Sequence, residues 1–387
     1  MSQSRWDIFC SVVDNYGDAG VAWRLARQLA SEHDVSVRLF VDDMLTLSRL
    51  APGVDPARLD NVVDGVCVRR WTGPGDDALP DDAVTALIEM FGCGVPADYS
   101  KAMARRVRPC AWIILEYLSA ESWVETHHKL PSPHPSLPLV RHFFFPGFTP
   151  ATGGLLRERG LFARRDGFQS DALAQAEFWR TIGMAQPAAD AIVMSLFCYP
   201  DAPIAALLDT WANADKALMC VVPEGVAAGA LDRWCQGRCL NPGESLERGR
   251  LVIARVPFLS QDDYDRLLWA SDINFVRGED SFVRAQWAAR PFIWNAYAQT
   301  ESAHALKLGA FLARYGRRLA PGPAAALRSF SDAWNDGGAG SPTAAGLWPA
   351  LNGARPALDE IAREWAHALG RQTDLASALI KFVSDRL

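Results

Sequence analysis

Two aspartates four residues apart stand in the stretch SVVDNYGDAG, residues 11–20, after a short apolar segment and before a helix-like run. The glycines around them, Gly17 and Gly20, permit close backbone approach, and the amides opening the next helix could receive an anion. The spacing is G-x-x-G, however, not the G-x-G-x-x-G of a dinucleotide fold. Asp14 and Asp18 would also repel a pyrophosphate. A simple cap, with Asp18 at the start of a helix beginning near Gly20, accounts for one acid. Two acids at one strand end are more than a cap requires, and together they suit a cationic or proton-donating substrate.

The complementary chemistry lies in FVRGEDS, residues 275–281, at a strand end that leads into a helix. Gly278 permits a tight turn. The amides of Asp280 and Ser281, with the Ser281 hydroxyl as a further donor, could face a diphosphate at the helix N-terminus. Glu279 could accept hydrogen bonds from a ribose or sugar diol. A plain N-cap with a solvated Arg277–Glu279 pair explains the same letters equally well. SLFCYP places Phe197 and Tyr199 on one side of an extended segment, and VPFLSQ adds Phe258 and Gln261 after another strand. Aromatic faces around a polar reader suit a planar base; ordinary core packing is the alternative for any one of them. Glu116 and Tyr117 follow the strand AWIIL, where they would line a site or brace the strand end. His127, His128 and His134 lack metal-ligand spacing, and Cys235 with Cys239 lacks a second pair or a nearby histidine, so no metal site is expected.

These loops need strands to carry them. Apolar runs alternate with amphipathic periods: WDIFCSVV, AGVAWRLARQLASEH and VSVRLFVDD open the chain, followed by GVCVRRW, AVTALIEMFG (a strand or a helix end) and CAWIILEYL. This is the pattern of a helix-covered parallel sheet. The proline-rich stretch KLPSPHPSLPLVRHFFFPGFTP reads as extended loop. A second alternating series begins near residue 190 with AIVMSLFCYP, continues through ALMCVVPEG, RLVIARVPFL and INFVRGEDS, and ends in PFIWNAY. Its strands are almost continuously apolar, as buried parallel strands are. Residues 320–347 read as loop and short helix, and 354–387 as one or two helices. The expected organisation is an α/β chain of two domains, 1–165 and 166–387, with the C-terminal helices returning to the first. Ligands in such sheets collect at the carboxyl ends of strands, which is where the candidate residues fall.

Composition agrees with a folded chain: 387 residues, 49% hydrophobic and 22% charged. The formal charge of -6 carries no basic footprint for nucleic acid. No apolar run approaches the roughly 18 residues that span a bilayer, and MSQSRWDIFCSVV has no signal-peptide pattern, so neither membrane nor nucleic acid is an expected partner and the chain reads as cytoplasmic. Eight cysteines scattered among apolar segments read as reduced thiols.

Six long strings go further. WDIFCSVVDNYGDAGVAWRLARQLA, ILEYLSAESWVE, FFFPGFTPATGGLLRE, SLFCYP, VPFLSQDDYDRLLWASDINFVRGEDSFVRAQWAARPFIW and the aromatic tail closely resemble the bacterial protein-arginine rhamnosyltransferases that modify elongation factor P. The resemblance runs nearly end to end. It implies a GT-B glycosyltransferase with two Rossmann-like domains facing across a cleft. The donor implied is dTDP-β-L-rhamnose, bound by the C-terminal domain; the acceptor is an arginine of elongation factor P, bound by the N-terminal domain; inversion occurs without a metal ion or cofactor. Asp14 and Asp18 match that family's essential aspartates, Asp18 being the general base, and Glu279 matches its essential glutamate. Phe197, Tyr199, Phe258 and Gln261 match nucleotide positions, and Asp280 and Ser281 the diphosphate site, with Arg277 and Gly278 in the same loop. Tyr16, Gly17 and Gly20 fall near acceptor or sugar. A non-catalytic nucleotide-sugar sensor or translation-factor-binding protein on the same fold is the alternative. A nicotinamide dehydrogenase is disfavoured by the missing glycine fingerprint.

Overall fold

The computed structural model describes residues 4–297, 303–336 and 342–386; Met1–Gln3 of the N-terminal reading and 337–341 of the stretch 320–347 lie outside the described residues. The chain divides into two compact units, Met1–Arg159 with Leu369–Leu387, and Gly160–Ala368.

In the first unit the elements run β1 (Arg5–Cys10), α1 (Tyr16–Glu32), β2 (Ser36–Val41), α2 (Met44–Leu50), β3 (Asp60–Val63), β4 (Val66–Arg70), β5 (Val84–Met90), α3 (Ala97–Ala104), β6 (Ala111–Leu115), α4 (Trp123–His127), β7 (Pro131–Pro133) and β8 (Val140–Phe144). They form one sheet of order β3-β4-β2-β1-β5-β6-β8-β7, parallel except for its two edge strands. The ambiguous AVTALIEMFG is therefore a strand. Alternation along β1 explains its burial on both faces. Trp6, Ile8 and Cys10 pack with Trp23 and Leu25 of α1 and with Leu379 and Phe382 of the C-terminal helix Leu375–Ser384. Phe9 faces the other way, stacked on Phe40 with centroids 4.3 Å apart and packed with Trp71 and Tyr99. On that second face the buried Asp7 accepts from the Arg38 Nε at 2.7 Å and the Tyr99 hydroxyl at 2.6 Å, which compensates a carboxylate inside the core.

The proline-rich stretch is not a plain loop. β7 and β8 form an antiparallel pair, and β8 adds to β6 in parallel. Pro131 and Pro133 sit on the outermost strand, where no further neighbour asks for their missing N–H.

The second unit contains α5 (Leu161–Ser170), α6 (Ala172–Thr181), β9 (Ile192–Leu196), α7 (Ile204–Ala212), β10 (Leu218–Pro223), α8 (Ala228–Trp234), β11 (Ser245–Arg248), β12 (Leu251–Val256), α9 (Gln261–Ala270), β13 (Ile273–Arg277), α10 (Asp280–Ala288), β14 (Phe292–Asn295), α11 (Ala303–Tyr315), α12 (Pro321–Asp336), α13 (Ala344–Gly353) and α14 (Arg355–Gly370). Its sheet has the order β11-β12-β10-β9-β13-β14, with only β11 antiparallel. A boundary at 165 would cut α5, whereas the compact units part at Arg159 and Gly160. Where loop and short helix were expected, α12 runs sixteen residues. Pro321 and Pro323 occupy its first turn, which has no intrahelical N–H bonds to lose, and Leu327, Phe330 and Trp334 repeat at helical spacing as buried residues. Among the described residues no helix is long and apolar enough to cross a membrane.

Candidate active site

Among the parallel strands of each sheet the order reverses once, between β1 and β5 in the first unit and between β9 and β13 in the second. Ligands of open parallel sheets bind at the carboxyl ends beside such reversals. The Asp14–Asp18 turn leaves β1, and the loops carrying Phe197, Tyr199 and Arg277–Ser281 leave β9 and β13.

The first turn is built more tightly than a helix cap. α1 begins at Tyr16, not near Gly20, so Asp18 lies inside its first turn and does not cap it. The preceding Asn15 takes φ 44°, which reverses the chain abruptly. Asp18, 1% exposed, reaches back so that its Oδ2 accepts the amides of Val13 and Asp14, each at 2.8 Å. Both bonds fall on one oxygen; Oδ1 stands outside them. Gly17 donates its amide to the Asp14 carbonyl at 2.7 Å, and a Cβ on Gly17 would meet Asp14 Oδ2 at 2.9 Å. A side chain at this position would therefore displace the Asp14 carboxylate, which lies against the glycine. Asp42, at the end of β2, braces the approach by accepting the Val12 amide at 2.9 Å and the Ser11 hydroxyl. Tyr16 is partly exposed at the helix start, and Gly20 is buried in the second turn. Beneath them the Cys10 thiol is pushed well up, first by burial and then by the Asp18 charge, and stays protonated.

In the second unit Arg277 organises the site. Its guanidinium lies 4.5 Å from the Phe197 ring centroid and 4.9 Å from that of Tyr199, and Nη1 donates to the Cys198 carbonyl at 3.1 Å. The two aromatics do share a side, but one face of each carries an arginine, where a base was expected. Gly278 takes φ 61°, and its carbonyl accepts the Trp294 indole N–H at 2.9 Å. Glu279 occupies the position before α10 and Asp280 opens the helix. The Ser281 hydroxyl departs from its expected role as a ligand donor: it donates to the Arg277 carbonyl and accepts the Arg277 amide at 3.1 Å, closing the turn from within. Its amide and those beside it open α10, and a helix start is a position that can receive an anion.

After β12, Ser260 caps α9 by accepting the Asp263 amide at 3.1 Å, which sets the buried Gln261 at the first helical position and the partly exposed Phe258 just before it. Two residues of α9 were not read from the sequence. Tyr264 packs edge-on against Phe197 at 5.6 Å, its hydroxyl pushed upward by burial, and Asp265 accepts the Arg284 Nε of α10 at 2.9 Å. The Asp265–Arg284 pair is buried and couples the helix bearing Gln261 to the helix bearing Asp280. Spacing of three and four residues from Gln261 is the signal that marks them. The three histidines do not gather: His127 contacts Trp123, His134 lies against Trp112, and His128 accepts the Phe145 amide at 3.1 Å. Among the described residues no group of three or more His, Cys, Asp or Glu is placed to hold a metal ion.

Comparison with known proteins identifies the family. A family model described as "Elongation-Factor P (EF-P) rhamnosyltransferase EarP" matches residues 6–384. A protein-arginine rhamnosyltransferase of Pseudomonas putida is 46% identical over 386 residues, covering 100% of both chains. A solved structure described as "Structural basis for EarP-mediated arginine glycosylation of translation elongation factor EF-P" has a TM-score of 0.70 and 36% identity over 100% of both chains. At the level of fold alone, Phytolacca americana UGT2 complexed with UDP-2fluoro-glucose and pterostilbene matches with a TM-score of 0.52 at 12% identity, covering 99% of each chain. The fold is that of the GT-B glycosyltransferases, and the chain belongs to the EarP family of protein-arginine rhamnosyltransferases.

Proposed function

We propose that this enzyme transfers L-rhamnose from dTDP-β-L-rhamnose to an arginine side chain of elongation factor P, with inversion, without a metal ion or cofactor, in the cytoplasm. The observation that carries the reading is the Asp14–Asp18 turn at the strand reversal of the first unit, with the Asp18 Oδ2 accepting both the Val13 and the Asp14 amides. A guanidinium is always protonated in water and its lone pairs are delocalised, so it is a poor nucleophile. Two carboxylates can grip its N–H groups directionally, and Oδ1 of Asp18 can take a proton as the nitrogen bonds to the anomeric carbon. As that bond forms, the bond from anomeric carbon to diphosphate oxygen breaks, and the leaving diphosphate gains charge. The aligned amides at the start of α10 and the nearby Arg277 are suited to receive it. In this reading Glu279 accepts hydrogen bonds from sugar hydroxyls, while Phe258 and Gln261 hold the base. Attack from the face opposite the diphosphate converts the β-linked donor into an α-linked product.

The test is intact mass of elongation factor P after incubation with enzyme and dTDP-β-L-rhamnose, with fragmentation to locate the modified residue and NMR for the anomer. A single deoxyhexose on arginine with an α linkage is expected, unchanged by a chelator. No mass increment overturns the assignment of donor and acceptor; a β linkage overturns inversion; loss of turnover on chelation overturns metal independence.

A further inference from the structure

A stacked aromatic pair stands at the same carboxyl end of the sheet as the Asp14–Asp18 turn and has no part in the chemistry above. Phe91 follows β5 and Tyr117 follows β6; their rings lie face to face with centroids 4.1 Å and planes 7° apart, and both are partly exposed. Phe91 has φ 55°, a left-handed conformation that bulky residues rarely adopt, and Gly92 and Gly94 follow at 64° and 80°.

The surroundings over-determine this turn. The Phe91 amide donates to the Leu115 carbonyl at 2.7 Å and the Cys93 amide to Met90 at 3.0 Å. Buried Glu89 accepts both the Gly94 amide and the Trp112 indole N–H at 3.1 Å. The Cys93 thiol donates to the Phe9 carbonyl at 3.3 Å, tying the turn to the strand from which Asp14 and Asp18 depart. Strain held in place by so many partners is characteristic of ligand clamps. Phe9 is paired with Glu89 and Met90 with Leu115, so the three chains leave the sheet side by side, at the roughly 4.8 Å spacing of neighbouring strands.

We propose that the Phe91–Tyr117 pair is the platform against which the acceptor arginine stacks, and that it sets the enzyme's preference for a guanidinium over an ammonium. The inference rests on the reading of the Asp14–Asp18 turn as the acceptor site. Carboxylates bind a guanidinium through N–H groups in its plane, whereas an aromatic ring attracts it through its face. The two contacts are perpendicular and can act on one group together. A planar, weakly hydrated guanidinium profits from such a stack more than a compact, strongly hydrated ammonium does. Stacking the two rings on each other, over a hydrogen-bonded turn, holds the platform rigid before the substrate arrives.

Phe91→Leu, Tyr117→Leu and Phe91→Trp are compared with wild type and with Asp18→Asn, varying elongation factor P and dTDP-rhamnose separately and recording the thermal midpoint of each protein. Both leucine variants should raise the KM for elongation factor P roughly tenfold, leave the donor KM unchanged, and narrow the binding preference for the native acceptor over its Arg→Lys variant. Phe91→Trp should keep both the acceptor KM and the preference at their wild-type values. An unchanged acceptor KM in both leucine variants overturns the platform, as does a parallel rise in donor KM with a lowered thermal midpoint. Full turnover by Asp18→Asn overturns the underlying acceptor-site reading; a dead Asp18→Asn beside leucine variants of normal acceptor KM removes the platform alone.

Discussion

Asp18→Asn and Asp18→Ala should part company, because both backbone bonds of Asp18 fall on the same oxygen. Asparagine can place its carbonyl where Oδ2 stands and still accept the Val13 and Asp14 amides, each now at 2.8 Å. Its NH2 group then replaces Oδ1, the oxygen proposed to receive the proton. The fold loses only the charge assistance of two hydrogen bonds, about 1 kcal/mol in all. Turnover loses a general base, roughly 10²- to 10⁴-fold. Alanine removes both acceptors, leaves two amides to water and frees the turn, at about 1–3 kcal/mol; near 2–4 °C of melting temperature per kcal/mol for a unit of this size, that is a measurable drop. The assay pairs initial rates of deoxyhexose incorporation with thermal melts. Asp18→Asn should be almost inactive yet melt close to wild type, while Asp18→Ala should be inactive and less stable. Near-normal turnover of Asp18→Asn refutes the general-base role; melts of the two variants lowered equally refute the one-oxygen account of the turn.

Three further outcomes follow from the geometry. Gly17→Ala adds a Cβ that would stand 2.9 Å from Asp14 Oδ2; displacing that carboxylate should cut turnover by about a hundredfold without lowering the thermal midpoint, since alanine is the better helix former. Arg277→Lys keeps the charge but loses the planar contact with Phe197 and Tyr199; calorimetry should show dTDP binding weakened about tenfold, and unchanged affinity would refute the organising role of the guanidinium. His128 is lowered to about 4 by burial, with Lys129 contributing, so the folded protein keeps it neutral where the unfolded chain takes up a proton. Stability attributable to the neutral ring is therefore present above about 6.5 and is lost as pH falls toward 4. Urea midpoints should fall across that window, and His128→Gln should flatten the slope.

Much of this enzyme is readable without coordinates. Alternating apolar runs and helical periods specify two parallel-sheet units because those periodicities decide which face of each element is buried. The acids of SVVDNYGDAG and the letters RGEDS fall after strands for the same reason, and the long strings around them carry the family. What the letters left open is settled by pairing over long separations. Local composition marked 129–150 as loop, yet β8 finds β6 as a neighbour and the prolines tolerate the edge. Proline and glycine marked 320–347 as loop and short helix, yet α12 spans Pro321–Asp336, because position within a helix decides what a proline costs. The start of α1 depends on one left-handed residue, Asn15, and the bonds of Asp18 depend on that start. The Ser281 hydroxyl turning inward, Arg277 lying on two rings, and Phe91 held in strain beside Tyr117 are likewise outcomes of which strands become neighbours. Sequence alone determined the chemistry available and the strand ends that display it; tertiary structure decided which polar atoms are consumed in building the turns and which are left to meet a substrate, because hydrogen bonds between distant segments exist only once the sheet has brought them together.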